Sequence, residues 1–485
     1  HILVSLNGYE VSDLVWDGSG WHQVEIKFFS SALINGENTL LIKLPGDTGA
    51  AVENISIDSI EIDYPRQSIA ERGLLIFNSG AAPLIIRNLE GRVIVVDITN
   101  RDITEVVDLF RVDESPVSFQ GVPGHKYIVA DAEGWLAPSR ISLPWEAPDL
   151  REDNLGANYV VIGRDELLED LEPLLKLRQS QGLEVFSIPV EALYDQFNYG
   201  LGEPEAISMF LNYATENWKP VPRYVLLIGD SSYDLKGNVT EPPANDLPTY
   251  YVQTKLGGIT SSDVIYGIIG NEEVPKIAIG RIPARNSEQV RAWIDKVLVI
   301  EQSVVNKSVD RNILAVADHQ DPSFRLDAEK FLSVFPFGFS TEIFPSSVVD
   351  SGSESSVTGK LEQGVNLVSY FGHGSVNMWG KDKLFTVSDV EKLTSPIIPV
   401  VFQMTCLTGL FTHPTATSLT EALLFQPDSG AVSVIAPTSL TLPFNQTSFS
   451  QSFAEAYVAN DMSRLGDVLL YTQNHVAQEG ERSRD

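Results

Sequence analysis

Two reactive side chains, His373 and Cys406, each follow a short apolar run in the last third of the chain. His373 stands between two glycines in Tyr-Phe-Gly-His-Gly-Ser, and Cys406, the only cysteine, follows Pro-Val-Val-Phe-Gln-Met-Thr. If the two runs are neighbouring parallel strands, the imidazole and the thiol meet at one edge of a sheet. A histidine beside a cysteine stabilises the thiolate, which attacks carbonyl carbon, and the imidazolium can protonate a leaving amine. The pattern predicts a Cys-His pair for nucleophilic catalysis.

The glycines around His373 support this interpretation. Gly372 and Gly374 allow a sharp turn and the close approach of a substrate. The backbone N–H groups of Gly374 and Cys406 are the predicted oxyanion hole. The alternative is an ordinary core histidine and a cysteine that acts as a small buried hydrophobe. Two such residues at strand ends, with no other cysteine in the chain, favour the catalytic pair.

A long segment of alternating strand and helix patterns must position this pair. It predicts a mostly parallel sheet with helices on both faces, in a first half at 155–305 and a second, catalytic half at 306–476. The predicted helices include Asp165–Gln181, Pro204–Trp218, Ser287–Gln302, Phe324–Phe335, Glu354–Gln363, Thr417–Phe425, Phe449–Tyr457 and Leu465–Val476. A polar tail at 477–485 follows.

Residues 1–145 have a different pattern, with short alternating runs separated by turn signals such as Asn7-Gly8 and Asn35-Gly36. This cadence predicts an antiparallel β-sandwich or jelly-roll-like region. The predicted strands are Ile2–Leu6, His22–Phe28, Thr39–Leu44, Ser56–Tyr64 and Gly91–Asp97. The chain begins inside this pattern, which leaves open that the region is incomplete at its N-terminus. Two prolines and a charge run at Ser142–Asp153 predict a linker.

Composition restricts the partners and the compartment. The net charge is −31 and the pI about 4.5, so phosphate backbones are repelled and nucleic acid is an unexpected partner. No run of about 18 apolar residues is present, so the sequence predicts no transmembrane helix. A single cysteine excludes an internal disulfide framework and fits an oxidising compartment. The chain opens on His1 without a signal peptide, so we expect a mature product or a fragment, secreted or at the cell surface.

The blocks Tyr370-Phe-Gly-His-Gly-Ser and Pro399-Val-Val-Phe-Gln-Met-Thr-Cys-Leu-Thr-Gly resemble the gingipain family of cysteine peptidases, in the caspase-like group. Further blocks, Tyr224–Asp230, Ser262–Gly267, Ile277–Pro283, Ser418–Leu424 and Gly430–Thr438, extend the resemblance over about 155–475. The predicted β-rich region at 1–145 is similar to the region that precedes the peptidase domain in the type IX secretion signal peptidase and its relatives.

The resemblance implies an endopeptidase that acts on proteins or peptides through a thioester, with Cys406 as nucleophile and His373 as general base and acid. It also implies an acid that orients the histidine. Asp318 matches best and Asp321 second, while other members of the group work as a dyad. No cofactor is required for this chemistry. Two alternatives remain: a sortase-like transpeptidase acting on C-terminal sorting signals, or a weakly active or inactive surface protein that keeps the fold. Other cell-surface or secretion components are further candidate partners.

The resemblance places the substrate pocket partly in Pro437–Phe444, with Thr438, Ser439, Pro443 and Phe444 as candidate lining residues. Gingipains use an acid to bind Arg or Lys before the scissile bond, and this segment has none. The departure puts basic specificity in doubt. Gingipains also carry structural calcium, and oxygen-rich loops suit that ion. The candidate ligands near strand ends are Asp230, Asp234, Asp246 and Asp263.

Overall fold

The structure is a computed structural model. It describes residues 1–18, 20–50, 53–55, 57–63, 67–100, 104–112, 116–137, 141, 147–239, 245–254, 256–305, 311–345, 356–459 and 464–478. The chain divides into two compact units, His1–Ile141 and Ser142–Asp485.

The first unit is built from antiparallel sheets, as the sequence predicts. Its strands are β1 (Ile2–Leu6), β2 (Tyr9–Leu14), β3 (Leu40–Lys43), β4 (Leu74–Asn78), β5 (Leu84–Ile86), β6 (Gly91–Asp97), β7 (Glu105–Val112), β8 (Val117–Phe119) and β9 (Lys126–Ala130). They form sheets of order β2-β1-β3, β4-β9-β6-β7 and β5-β8. The last two sheets share one core, in which Ile86, Val93, Val95 and Val129 are fully buried. This is a small sandwich.

Two predicted strands of this unit are wrong. Residues 22–28 and 57–63 have no strand conformation and are mostly exposed, while Ser56 and Tyr64 lie outside the described residues. Alternating hydrophobicity produces a strand only where a neighbour supplies the ladder hydrogen bonds and a buried face. In the described part of the chain, these segments pair with no strand.

The second unit alternates strands and helices around two all-parallel sheets, which confirms the predicted α/β architecture. One sheet has the order β11-β10-β12-β15, and the other has the order β17-β16-β18-β22-β23. Their strands are β10 (Tyr159–Gly163), β11 (Val185–Pro189), β12 (Tyr224–Ile228), β15 (Ala278–Ile282), β16 (Asn312–Ala317), β17 (Ser340–Phe344), β18 (Leu367–Phe371), β22 (Val400–Met404) and β23 (Ser433–Ile435). Small antiparallel sheets hold β13 (Tyr251–Thr254) and β14 (Gly258–Ser261), and β19 (Gly374–Ser375), β20 (Met378–Trp379) and β21 (Phe385–Thr386).

Helices cover these sheets. They are α1 (Asp165–Leu168), α2 (Glu172–Ser180), α3 (Val190–Phe197), α4 (Pro204–Asn217), α5 (Ser287–Val305), α6 (Pro322–Ser333), α7 (Val357–Glu362), α8 (Val387–Val390), α9 (Leu419–Phe425), α10 (Pro443–Val458) and α11 (Leu465–Gln478). Apolar clusters lie against both parallel sheets. Most strands are buried on both faces, which explains their continuous apolar runs.

Two helical predictions differ in detail. The predicted helix Asp165–Gln181 is two helices, and Pro173 stands in the first turn of the second, a position that suits its fixed φ. Helix α10 begins at Pro443 rather than Phe449, for the same reason. Helix α3 and strand β17 were not predicted.

Candidate active site

The strand register brings the two reactive residues to neighbouring positions. In β18 and β22, Phe371 is paired with Met404 in the last rung of the parallel ladder. His373 and Cys406 each follow two residues later. Neighbouring strands lie about 4.8 Å apart, so both residues leave the sheet side by side, at the carboxyl edge where α/β sites form. The N–H of Gly372 donates to the Met404 carbonyl across 3.3 Å and carries the contact past the last rung.

The backbone of His373 is fixed from several sides, while its side chain is exposed. Its carbonyl accepts hydrogen bonds from the Tyr370 hydroxyl at 2.6 Å and from the Gly380 N–H at 2.7 Å. Burial raises the pKa of Tyr370, so the hydroxyl keeps the proton that it donates. The imidazole packs edge-on against Phe324, with ring centroids 5.3 Å apart. The ring is therefore presented at the surface from a rigid loop.

Cys406 is half-buried, and the segment after β23 contacts its sulfur. The N–H of Thr441 lies 3.4 Å from Sγ, and the Thr441 carbonyl and Oγ1 lie at 3.8 and 3.7 Å. Leu407 follows with a φ of 61°, a left-handed conformation that turns the chain sharply after the thiol. Among the described residues, the imidazole of His373 makes no hydrogen bond with Sγ. Apo sites often have such loose geometry before a substrate binds.

Gly374 lies against the Cys406 loop. A Cβ at Gly374 would be 2.3 Å from Thr405 Oγ1 and 3.0 Å from the Cys406 carbonyl oxygen. Only a residue without a side chain allows this approach. The two candidate oxyanion-hole residues, Gly374 and Cys406, are thus adjacent, and their assignment to an oxyanion stays a prediction.

Asp318 is buried beside the histidine loop but contacts its backbone. Its carboxylate accepts from the N–H of Gln320 at 3.0 Å and from the N–H of His373 at 3.3 Å. Asp321 caps α6 by accepting from the N–H of Ser323. That hydrogen bond lowers the pKa of Asp321, with a smaller contribution from His373. The proposed role of either acid in orienting the imidazole stays a prediction.

A cavity of about 490 Å³ lies next to the Cys406 loop, between the edge strands β15 and β23 of the two parallel sheets. Of the four pocket candidates, Thr438 and Ser439 line it. Pro443 and Phe444 belong to the first turn of α10 and are not among its lining residues. Thr405 and Thr441, which flank and contact Cys406, form part of its wall.

The four candidate calcium ligands have separate partners. Asp230 pairs with Arg285, Asp246 with Arg164 and Asp263 with Arg281, while Asp234 accepts from the N–H groups of Asn238 and Val239. The described residues contain no group of three or more His, Cys, Asp or Glu side chains suited to a metal ion. Structural calcium stays a prediction without an assigned site.

Sequence reasoning missed two buried charges near α9. Glu421 forms a capping box with Ser418, and burial raises the pKa of Glu421 to about 7. Lys296 on α5 donates to the carbonyls of Leu423, Leu424 and Ser429, and burial lowers its pKa to about 7. The pattern Ser-x-x-Glu before an apolar run was a visible signal for the first of these.

The fold and the site define a parallel α/β protein with a histidine and a cysteine at the end of neighbouring strands. The sequence profile of peptidase family C25 matches residues 152–485, and the chain belongs to that family.

Individual relatives are more distant. The chain is 24% identical over 309 residues to gingipain R2 of Porphyromonas gingivalis strain W83. The aligned segment covers 59% of this chain and 37% of the relative. It is 26% identical over 248 residues to gingipain R1 of Porphyromonas gingivalis. This aligned segment covers 48% of this chain and 23% of the relative. The chain therefore spans little more than a third, or less, of these relatives.

Solved structures agree on the fold. The Arg-specific cysteine proteinase gingipain R aligns with a TM-score of 0.52 and 19% identity, over 71% of this chain and 76% of that one. The complex of the pro- and mature domains of RgpB from Porphyromonas gingivalis aligns with a TM-score of 0.53 and 19% identity, over 67% and 75%. Within the described residues, no helix is long and apolar enough to cross a membrane.

Proposed function

We propose that the protein is a cysteine endopeptidase in which Cys406 is the nucleophile and His373 the general base and acid. The observation that carries the proposal is the last pair of the β18–β22 ladder, Phe371 with Met404. His373 and Cys406 each come two residues after their member of this pair. Membership of peptidase family C25 supports the same class of reaction.

The reaction proceeds in two balanced steps. The Cys406 thiol gives its proton to His373, and Sγ bonds to the substrate carbonyl carbon. The C–N bond breaks and the imidazolium gives its proton to the leaving amine, which leaves a thioester. Water then attacks the thioester with His373 as base, and the acid product and the free thiol are released. The N–H groups of Gly374 and Cys406 are proposed to stabilise the oxyanion.

The Cys406 loop supports a reactive thiol. The N–H of Thr441 points at Sγ from 3.4 Å and donates a hydrogen bond that fixes the position of the sulfur. The Thr441 hydroxyl donates to the Thr405 carbonyl at 2.6 Å, and the Gln446 side chain donates to the same carbonyl at 3.0 Å. This network holds the residue before the nucleophile.

Thiol labelling combined with peptide cleavage tests the proposal. We expect iodoacetamide to modify Cys406 in the native chain and to abolish cleavage of a peptide library. Cys406→Ala should lower kcat/KM by at least about 10³ and His373→Ala by a similar factor. Thr408→Ser, on the same loop, is a matched control with near-normal activity. Equal residual cleavage by wild type and Cys406→Ala would refute the proposal.

The same experiment separates hydrolysis from the transpeptidase alternative, because both begin with a thioester. With an added amine acceptor, mass spectrometry of the products should show free acids. Amide products would instead establish transfer to the amine. A protein that is folded but never labelled at Cys406 would be the inactive surface protein.

A secreted or cell-surface location, protein substrates and contacts with other surface components belong to this proposal as well. The acidic composition and the single cysteine support the location. Structural calcium is proposed only as an aid to stability. Chelation followed by a thermal melt tests it, and an unchanged Tm would exclude it.

A further inference from the structure

The first turn of α9 lies between the two loops that carry His373 and Cys406. The N–H of Leu419 donates to the Val376 carbonyl at 2.8 Å, and the N–H of Thr420 donates to the Thr408 carbonyl at 3.2 Å. Val376 stands three residues after His373, and Thr408 two residues after Cys406. The first N–H groups of a helix have no partner inside the helix. In α9 they fasten both reactive loops to one turn.

Glu421 holds that turn in place. Its Oε2 accepts from the N–H of Ser418 at 2.9 Å and from the Ser418 hydroxyl at 2.7 Å, and its own N–H donates to Ser418 Oγ at 3.2 Å. Both residues are buried. A box of this kind satisfies the remaining donors of the turn.

A cation from the first half of the unit completes the arrangement. Arg285 Nη2 lies 3.6 Å from Glu421 Oε1, and Arg285 Nε donates to Asp230 at 2.7 Å. Asp230 lies just after β12 and is buried. Asp246 is the further carboxylate that acts on Arg285, and Lys296 lies at the opposite end of α9. Glu421 thus connects the first turn of α9 to the first half of the unit through Arg285.

We propose that Glu421 is a positioning residue for the Cys-His pair, and that its negative charge holds the α9 turn against both loops. This inference rests on the proposed function. Charged carboxylates accept stronger hydrogen bonds than neutral acids and attract the Arg285 guanidinium. The neutral acid keeps the Ser418 contacts in weaker form and loses the attraction to Arg285.

Protonation of Glu421 should therefore loosen the turn within the working range of a peptidase. Burial raises the pKa of this carboxyl to about 7, and burial raises that of Asp230 to about 6 against the opposing effect of Arg285. The Cys406 thiol should then be positioned less well below pH 7 than above it. In Glu421→Gln the side chain is uncharged at every pH, so the turn should be held as weakly as by the neutral acid.

The test compares the alkylation rate of Cys406 by iodoacetamide in the full-length wild type and in Glu421→Gln, from pH 5.5 to 8.5. The ratio of the two rates cancels the intrinsic titration of a thiol. We expect a ratio near one at pH 5.5 that rises through pH 7 to about five above pH 8. A ratio that does not change with pH would overturn the proposal and make Glu421 a structural residue only.

Asp389→Asn is the matched control, because Asp389 occupies the same capping-box position in α8 and its carboxylate bonds Thr386. Its ratio to wild type should not change between pH 6 and 8. In peptide cleavage, Glu421→Gln should lower kcat at pH 8 and leave KM nearly unchanged.

If Glu421→Gln does not fold, hydrogen exchange of the wild type supplies the answer. Protection of the Leu419 and Thr420 amides, corrected for intrinsic rates, should increase between pH 6 and 8, and constant protection would overturn the proposal. Alkylation and exchange need no peptidase activity. A failure of the proposed function would appear as absent cleavage by the wild type, independently of these two readouts.

Discussion

Asp318 accepts a hydrogen bond from the backbone N–H of His373, at 3.3 Å, and not from the imidazole ring. A Cβ at Gly372 would lie 2.5 Å from the Asp318 Cβ, so the backbone of the His373 loop packs directly against the Asp318 side chain. This contact fixes the backbone at His373, while the imidazole ring packs against Phe324.

This geometry predicts a moderate effect of Asp318→Asn. One amide oxygen cannot serve both N–H donors, so the free energy of unfolding should fall by about 1–3 kcal/mol. Activity should fall only about tenfold, because the ring loses no partner. A loss near 10⁴ in kcat would instead mean that the carboxylate orients the imidazole during catalysis. Urea denaturation and peptide kinetics on the same preparation decide between the two.

Gly374→Ala should separate stability from catalysis. The new methyl group would meet Thr405 Oγ1 at 2.3 Å and the Cys406 carbonyl oxygen at 3.0 Å. We expect a destabilisation of about 1–3 kcal/mol from overpacking and a loss of nearly all activity.

Thr405→Ala in the same chain is the control for this substitution. It removes the side-chain clash and leaves the backbone contact. The double variant should regain most of its thermal stability but little of its activity. Full recovery of cleavage would show that the approach of Gly374 to Cys406 is unimportant for the reaction.

Lys296→Met should remove a pH dependence of stability. Burial lowers the pKa of Lys296 to about 7, so the unfolded chain binds more protons than the folded chain from pH 7 upward. The free energy of unfolding should therefore rise with pH between 7 and 9, and the Met variant should lose this rise. The variant removes the ammonium donor from three carbonyls, of which that of Leu423 keeps the Ala431 N–H, and it should be less stable by about 3 kcal/mol.

The exposed Lys176, paired with Glu172 along α2, provides the matched control. Lys176→Met should change stability by less than about 0.5 kcal/mol at any pH. Tryptophan-monitored urea curves of both variants at pH 7 and 9 measure the difference. An unchanged slope in Lys296→Met would contradict the assignment of the titrating group.

The cavity beside Cys406 predicts no preference for a basic residue before the scissile bond. Asp263 lines it, but Arg281 Nε and Nη2 bind the Asp263 carboxylate at 2.6 and 2.9 Å. An acid already neutralised offers little to a second cation. Peptides with norleucine before the scissile bond should be cleaved at least as fast as the lysine peptides of the same shape. A strong lysine preference would show that Arg281 releases Asp263 on binding.

The sequence predicted the two strand ends because glycines and apolar runs mark them locally. It could not supply the register that makes Phe371 and Met404 partners, since pairing depends on the whole sheet. His22–Phe28 shows the opposite limit, because its alternation meets no partner strand in the described residues. The sequence was equally compatible with Pro443 in a pocket loop and with Pro443 at the start of a helix. Packing decides for the helix, α10. The burial of Glu421 required the tertiary structure, although its capping pattern did not.

The stack of Tyr370 on Trp379, with centroids 4.5 Å apart and planes 5° apart, has a practical consequence. The Tyr370 hydroxyl bonds the His373 carbonyl, and the indole N–H donates to Gln403 of β22 at 2.6 Å. A fluorine atom on this indole would sense both strands of the site. Fluorine NMR of the 5-fluorotryptophan protein, with Trp379→Phe to assign the signal, would therefore follow inhibitor binding in solution without a label on the inhibitor.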